Sequence, residues 1–141
     1  MVGTNDASAG RTVEAYRRDM EAVVEAMVSR GVVPIVSTIP PHVHRAELAR
    51  SYNGALREIA RRRGLPLIDF EREVLARRPR DWDGTLLNRG DVHPTAEGGG
   101  AGPASEPTKE NLRNSGYLLR GWLSVKKITE VKTAVFDKQP K

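Results

Sequence analysis

The chain of 141 residues contains no cysteine. That excludes structural disulfides, thiolate metal sites and a cysteine nucleophile, and it leaves the compartment open. No apolar run approaches the length of a membrane span. No signal peptide is visible either, although a leader upstream of Met1 would not be seen. Aromatic residues are scarce, at 5%. The arginine clusters at Arg61–Arg63 and at Arg77, Arg78 and Arg80 therefore lack the aromatic platform of a nucleic-acid surface. They read as solvated helix ends, and the net charge of +5 as a mildly basic surface. No internal repeat is present, and the length suits one ordinary domain.

What is there is an alternation of helix and strand patterns. From Thr12 to Arg30 the apolar residues Val13, Tyr16, Met20, Val23, Val24, Met27 and Val28 recur at steps of three and four, which predicts an amphipathic helix stopped at Gly31. "VVPIVSTIPP" follows, a short β-branched run with Pro34 at its entry and Pro40 and Pro41 at its end; it reads as a buried strand. A second helix fits Arg45 to Arg63 and closes at Gly64, before the strand "LPLIDF". Helix, strand, helix, strand with short connections is the rhythm of a parallel α/β sheet. Residues 71–79 predict a short helix. A Gly-, Pro- and Asp-rich stretch comes next, long enough to be functional or disordered. The tail from Asn111 to Asp137 is helical by spacing, interrupted at Gly116 and Gly121.

Two stretches carry candidate chemistry, "GTND" at Gly3–Asp6 and "GDVHPT" at Gly90–Thr95. Both fall where loops leave the carboxyl edge of a parallel sheet, the usual ligand edge of open α/β folds. Asn5 offers an amide N–H that can stabilise an oxyanion. His93 can accept a proton at neutral pH, and Asp91 is a candidate to orient its ring, with Asp81 and Asp83 more distant alternatives. An amide donor plus a His–Asp pair is most of an acyl-transfer site. A nucleophile is missing: Ser8 lies in the oxyanion segment without a nucleophile elbow, Ser37 lies inside a strand, and Ser105, Ser115 and Ser124 sit in the tail.

Taken in order, "GTND" before a helix, "VVPIVSTIPP", "YNGALREIARRRGLPLIDF" and "DVHPTAEG" resemble the SGNH hydrolases, or GDSL-like esterases, from residue 1 to about residue 100. "ENLRNSGYLLRGWLSVKKI" resembles the C-terminal docking helix of some bacterial members. The resemblance implies an α/β fold, here a partial flavodoxin-like three-layer α/β/α arrangement with parallel strands near 32–39 and 65–70 and a C-terminal amphipathic helix. It divides the chain into residues 1–100, from the Asn loop to the His loop, and residues 101–141, a Gly/Pro-rich linker and a helix docked on the same domain. It implies hydrolysis of acyl esters, including those of carbohydrates, by a serine nucleophile. His93 would be the general base, Asn5 the side-chain oxyanion donor and Gly3 the glycine that shapes the Asn loop; no cofactor or metal is implied.

Two departures stand out. The family needs a Gly-Asp-Ser motif before the Asn loop, and this chain starts at that loop. The expectation is a carboxyl-terminal portion without its nucleophile, inactive alone, with Met1 standing at the end of a third strand. Its fourth strand would be a bare edge, open to self-association or to a complementing N-terminal half, and the isolated chain would be poorly stable. Second, the acid usually lies three residues before the histidine. Gly90 holds that place here and Asp91 lies two before; in an extended segment residues two apart point the same way. The competing reading is a non-catalytic remnant serving as a binding or interaction module.

Other features read more plainly. Asn5 and Asp6 could cap the following helix. His42 and His44 form a His-x-His pair in a loop expected to be exposed, with no third metal ligand evident. The glycines at 98–100 read as a flexible loop.

Overall fold

The computed structural model describes residues 2–96 and 106–137. Met1, the glycines at 98–100, Ser105 and most of the linker read after residue 100 lie outside the described residues. The element order is α1 (Thr4–Ser8), α2 (Val13–Val28), β1 (Val36–Ser37), α3 (Ala46–Arg63), β2 (Leu67–Ile68), α4 (Phe70–Arg77), α5 (Asn111–Asn114) and α6 (Gly116–Lys132). A π-helical turn over Thr133–Asp137 ends it.

The helix ends follow local chemistry. The Oγ1 of Thr12 accepts from the Ala15 N–H at 3.2 Å and caps α2. Asp6 does not cap that helix; it pairs with Arg11 at 3.2 Å, and Arg11 also holds Asp19. Gly64 ends α3 in the left-handed conformation, at φ 62°. Gly121 does not interrupt the tail helix, whereas the chain does break at Ser115, whose side chain caps α6 by accepting from the Leu118 N–H.

The sheet is parallel, with Val36 opposite Leu67 and Ser37 opposite Ile68. Its regular part is shorter than the apolar runs around it because prolines flank β1 on both sides and β2 at its start. Pro34 precedes β1, Pro40 and Pro41 follow it, and Pro66 precedes β2, each unable to donate to a ladder. Pairing still reaches past the strands: the Val36 N–H donates to the Pro66 carbonyl at 2.9 Å, and the Thr38 N–H to the Ile68 carbonyl at 3.1 Å. At Ile39 a side chain takes over. Buried Asn53 of α3 accepts from the Ile39 N–H at 2.8 Å and donates to its carbonyl at 3.0 Å.

Alternation along the strands splits the apolar residues into two cores, giving three layers. Val36 and Leu67 face α2 and α3, packed with Ala7, Tyr16, Ile39, Tyr52 and Leu56. Ile35 and Ile68 face the other side, with Phe70, Val74, Leu86, Leu87, Leu112 and Leu119. Leu119 is wholly buried, worth roughly 1.5–3 kcal/mol for such a side chain. It brings α6 against β2, and the Arg120 guanidinium donates to the Ser37 hydroxyl at 2.6 Å and lies 5.5 Å from the Phe70 ring. The resulting arrangement is a partial three-layer α/β/α fold.

Candidate active site

The first segment of the site hangs on two stacked phenols. The rings of Tyr16 and Tyr52 lie 3.9 Å apart and nearly parallel, at 6°. The Tyr16 hydroxyl donates to the Val2 carbonyl at 3.1 Å, and that of Tyr52 to the Arg11 carbonyl at 2.6 Å. The backbone on each side of α1 is thereby pinned to the core. Gly3 sits under Tyr16 at φ 114°, where a Cβ would stand 2.6 Å from the phenol oxygen. Both the conformation and the space demand glycine. Asn5 follows in the first turn of α1, rather than on an open loop. It is exposed, and its side-chain amide makes no hydrogen bond to another described residue.

The second segment, from Asp81 to Thr95, folds as a tight double turn. Leu86 and Leu87 both donate to the Trp82 carbonyl at 3.0 Å, and the Asn88 N–H donates to the His93 carbonyl at 2.9 Å. Gly90 turns the chain at φ 70°, and its N–H donates to the Asp83 carboxylate at 2.7 Å. Beyond the histidine, Thr95 fastens the loop to α6. Its carbonyl accepts from the Tyr117 N–H at 3.0 Å and its Oγ1 from the Gly116 N–H at 3.1 Å. The approach is so close that a Cβ at Gly116 would lie 1.9 Å from the Leu86 carbonyl oxygen.

The three acidic alternatives separate clearly. Asp81 pairs with Arg78 at 2.9 Å and Asp83 holds the Gly90 N–H. Asp91 alone of these meets the imidazole, its Oδ2 lying 2.7 Å from His93 Nδ1. That hydrogen bond, helped by the Val92 N–H on Oδ1, pulls the Asp91 carboxyl below its ordinary range. With Nδ1 so engaged, the His93 proton-accepting nitrogen is Nε2, on a side chain that is 69% exposed.

The loop after β1 supplies a third wall, with one correction. His44 is exposed as expected, but His42 turns inward and is only 7% exposed. The Pro40–Pro41 pair, itself buried, carries the backbone into the interior before releasing it. His42 Nε2 lies 3.2 Å from the Ser8 Oγ, while Nδ1 is buried with no partner. Burial, then the positive neighbours His44 and Arg45, push the His42 pKa down, with Asp91 opposing. Ser8, His42, His44, Arg45, Gly90, Asp91 and Val92 enclose a cavity of about 340 Å³. The Asn segment and the His segment thus meet at one hollow. Asn5 and His93 themselves do not line it, and no hydrogen bond joins them among the described residues.

Proximity does not make Ser8 a nucleophile. Its hydroxyl donates to the Thr4 carbonyl at 3.0 Å, so the imidazole must donate to Ser8 through Nε2–H, leaving Nδ1 as a bare acceptor. A base in that tautomer takes no proton from the serine. The same holds elsewhere: Ser29, Ser37, Ser51, Ser115 and Ser124 each donate to a backbone carbonyl.

Two residues that fasten the His segment, one in it and one at the start of α6, had no role by sequence. Thr95 was visible as the residue after His-Pro, and Gly116 as an apparent helix breaker. The signal for both was the pairing of a buried hydroxyl with a glycine at a helix start, which linear spacing does not display.

The sequence profile of the GDSL-like lipase/acylhydrolase family matches residues 1–101. Among solved structures, a protein of the G-D-S-L family from Desulfitobacterium hafniense DCB-2 superposes with a TM-score of 0.58 at 20% identity. The match covers 89% of this chain, which spans 61% of the length of that protein. No curated protein matches. The profile covers well over half of the residues, and the chain belongs to the GDSL-like lipase/acylhydrolase family.

Proposed function

We propose that this chain supplies the base and one oxyanion donor of a serine ester hydrolase whose nucleophile lies on another segment. The observation that carries this reading is the Asp91–His93 contact of 2.7 Å. It fixes Nδ1–H and leaves Nε2 basic and facing solvent, which is what a general base for a serine requires. In the reaction, the serine hydroxyl attacks an ester carbonyl as its proton passes to His93 Nε2. The Asn5 amide donates to the oxyanion. The tetrahedral intermediate collapses, the imidazolium gives its proton to the departing alcohol, and water repeats the cycle on the acyl-enzyme. Acyl esters of small alcohols, carbohydrates among them, are the substrate class.

Alone, the chain is expected to be inactive, because each described serine hydroxyl is committed to a carbonyl. p-Nitrophenyl acetate turnover by the chain should equal that of its His93→Ala variant. Turnover that depends on His93 would mean that a nucleophile is present after all. A chain with the Gly-Asp-Ser segment added should gain turnover and lose it again on His93→Ala.

The second reading, a non-catalytic interaction module, draws on the free side of β1. Met20, Val23 and Met27 of α2, Ile35 and Val36, and Arg120 of α6 line a groove of about 290 Å³ beside that edge. A further strand, from a second copy or from a complementing segment, would pair there. The isolated chain should therefore be weakly stable and self-associate. A sharp cooperative melt of a monomer at all concentrations would overturn that expectation.

A further inference from the structure

We propose that the hollow between α1, the loop after β1 and the His segment is a subsite for a carboxylate carried by the ester substrate, with Arg45 as its main partner and His44 at its rim. The inference rests on the reading of Asn5 and His93 as parts of an ester-hydrolase site, since it assigns the space next to them.

The location comes first. The cavity is walled by Ser8, three residues after Asn5, and by Gly90–Val92, directly before His93. A substrate reaching the candidate base has this hollow beside it. Its volume of about 340 Å³ holds on the order of ten waters at roughly 30 Å³ each, enough for a short acyl chain with a terminal group.

The charge of the walls selects that group. Arg45 is exposed and makes no ion pair with another described residue. Arg17, Arg57 and Arg78, by contrast, are each tied to carboxylates. Arg45 is also the N-cap of the 18-residue α3, at the positive end of that helix, with Glu47 in its first turn outside the lining. Asp91 is the one acid among the lining residues, and both its oxygens are occupied, Oδ1 by the Val92 N–H and Oδ2 by His93. Beneath them lies His42, more than nine-tenths buried; its unpartnered Nδ1 has no exposed surface, so the ring senses charge in the hollow without that nitrogen touching an occupant. A guanidinium fork is suited to bidentate capture of a carboxylate, and an anion in the hollow would favour the protonated form of the imidazole beneath it.

The test reads binding, not turnover, so it stands apart from the hydrolase assignment. Succinate and its neutral counterpart succinamide are titrated into the chain at constant ionic strength, with the three imidazoles followed by NMR. Succinate should raise the apparent pKa of His42 and perturb the Arg45 side-chain signal, and succinamide should do neither. Arg45→Gln should weaken succinate binding about tenfold or more while the spectrum of the core is retained. His93→Ala should remove turnover from a chain completed with the Gly-Asp-Ser segment while weakening succinate binding less than Arg45→Gln does, because it uncovers one oxygen of Asp91 but leaves the guanidinium in place. An equal response to succinamide, binding untouched by Arg45→Gln, or no response at all would each overturn the subsite. A match by sulfate and chloride at the same concentration would mean an adventitious ion only, and would overturn it too. Failure of His93-dependent turnover with succinate binding retained would count against the hydrolase reading alone.

Discussion

The two segments that meet at the candidate site are held by opposite means. The Asn5 helix is carried by the core itself: Gly3 lies against the Tyr16 ring, and the stacked phenols reach out to the Val2 and Arg11 carbonyls. The His93 segment has little core of its own beyond Leu86 and Leu87, and hangs by backbone bonds from the start of α6. The comparison teaches that the tail helix belongs to the site. Without the Gly116 and Tyr117 N–H groups, Thr95 keeps only its bonds within the segment, to the Thr85 and Leu86 carbonyls, and the turn that sets His93 beside Asp91 loses its anchor on α6.

The comparison is broken most severely at Gly116. An alanine there places a methyl 1.9 Å from a backbone carbonyl oxygen, and no rotamer change relieves a backbone clash. Gly116→Ala should cost about 3 kcal/mol and separate the His segment from α6. Urea unfolding measures the loss, and the Asp91–His93 coupling in the imidazole spectrum reports the displaced loop. Gly121 lies one and a half turns further along the same helix with open space around it. Gly121→Ala should instead stabilise by roughly 0.5–1 kcal/mol. Equal effects of the two would show that α6 does not press on the His segment.

Gly3→Ala attacks the other segment. Its φ of 114° and the 2.6 Å approach to Tyr16 Oη act together, for an expected loss of about 2–3 kcal/mol. Tyr16→Phe should not rescue it, because ring carbons at 2.8 and 2.9 Å remain in the way. The two glycine variants should divide the site. Gly3→Ala disturbs α1 while leaving His93 on Asp91, and Gly116→Ala does the reverse; hydrogen exchange along each segment distinguishes them.

Much of the scaffold was legible in the sequence, and the reason is periodicity. The apolar steps of α2 and α3, their stops at Gly31 and Gly64, the β-branched run before Pro40 and the short apolar run at Leu65–Ile68 each report a local conformation. The family resemblance added what spacing alone did not, a coherent order of those elements. What stayed hidden depends on contacts between distant segments. Spacing ranks Asp91 ahead of Asp81 and Asp83, but only the turn at Gly90 gives each its partner and leaves Asp91 on the imidazole. His42 looked exposed because a Pro-Pro pair announces a strand end without saying which way the chain then turns. Gly116 marked the break in the tail, which falls between α5 and α6; hidden was that the same glycine lets α6 start against the Leu86 carbonyl.

The smallest effect expected is a dependence on pH confined to the α1 side. Burial, together with His44 and Arg45, holds the His42 pKa below its ordinary 6.5, against the pull of Asp91. Above that value the ring is neutral in both folded and unfolded chains, and pH does nothing. As the pH falls below it, the unfolded chain takes up a proton that the folded chain refuses, so stability declines down to the depressed folded value. Asp91 has the opposite charge type and a lower window. Its folded pKa is depressed below 3.8, so its contribution is lost only in stronger acid. Urea midpoints at pH 7.5 and 5.5 isolate the histidine, and His42→Gln should flatten the difference between them. Protonated His42 would carry a second buried N–H and no partner for it, so the strain falls on the Ser8 contact and on α1. Exchange at Ser8 should therefore quicken at pH 5.5 while exchange at Thr95, fastened to α6, stays unchanged. Equal quickening at both would mean that the two segments open together and that the difference between their anchors has no consequence in solution.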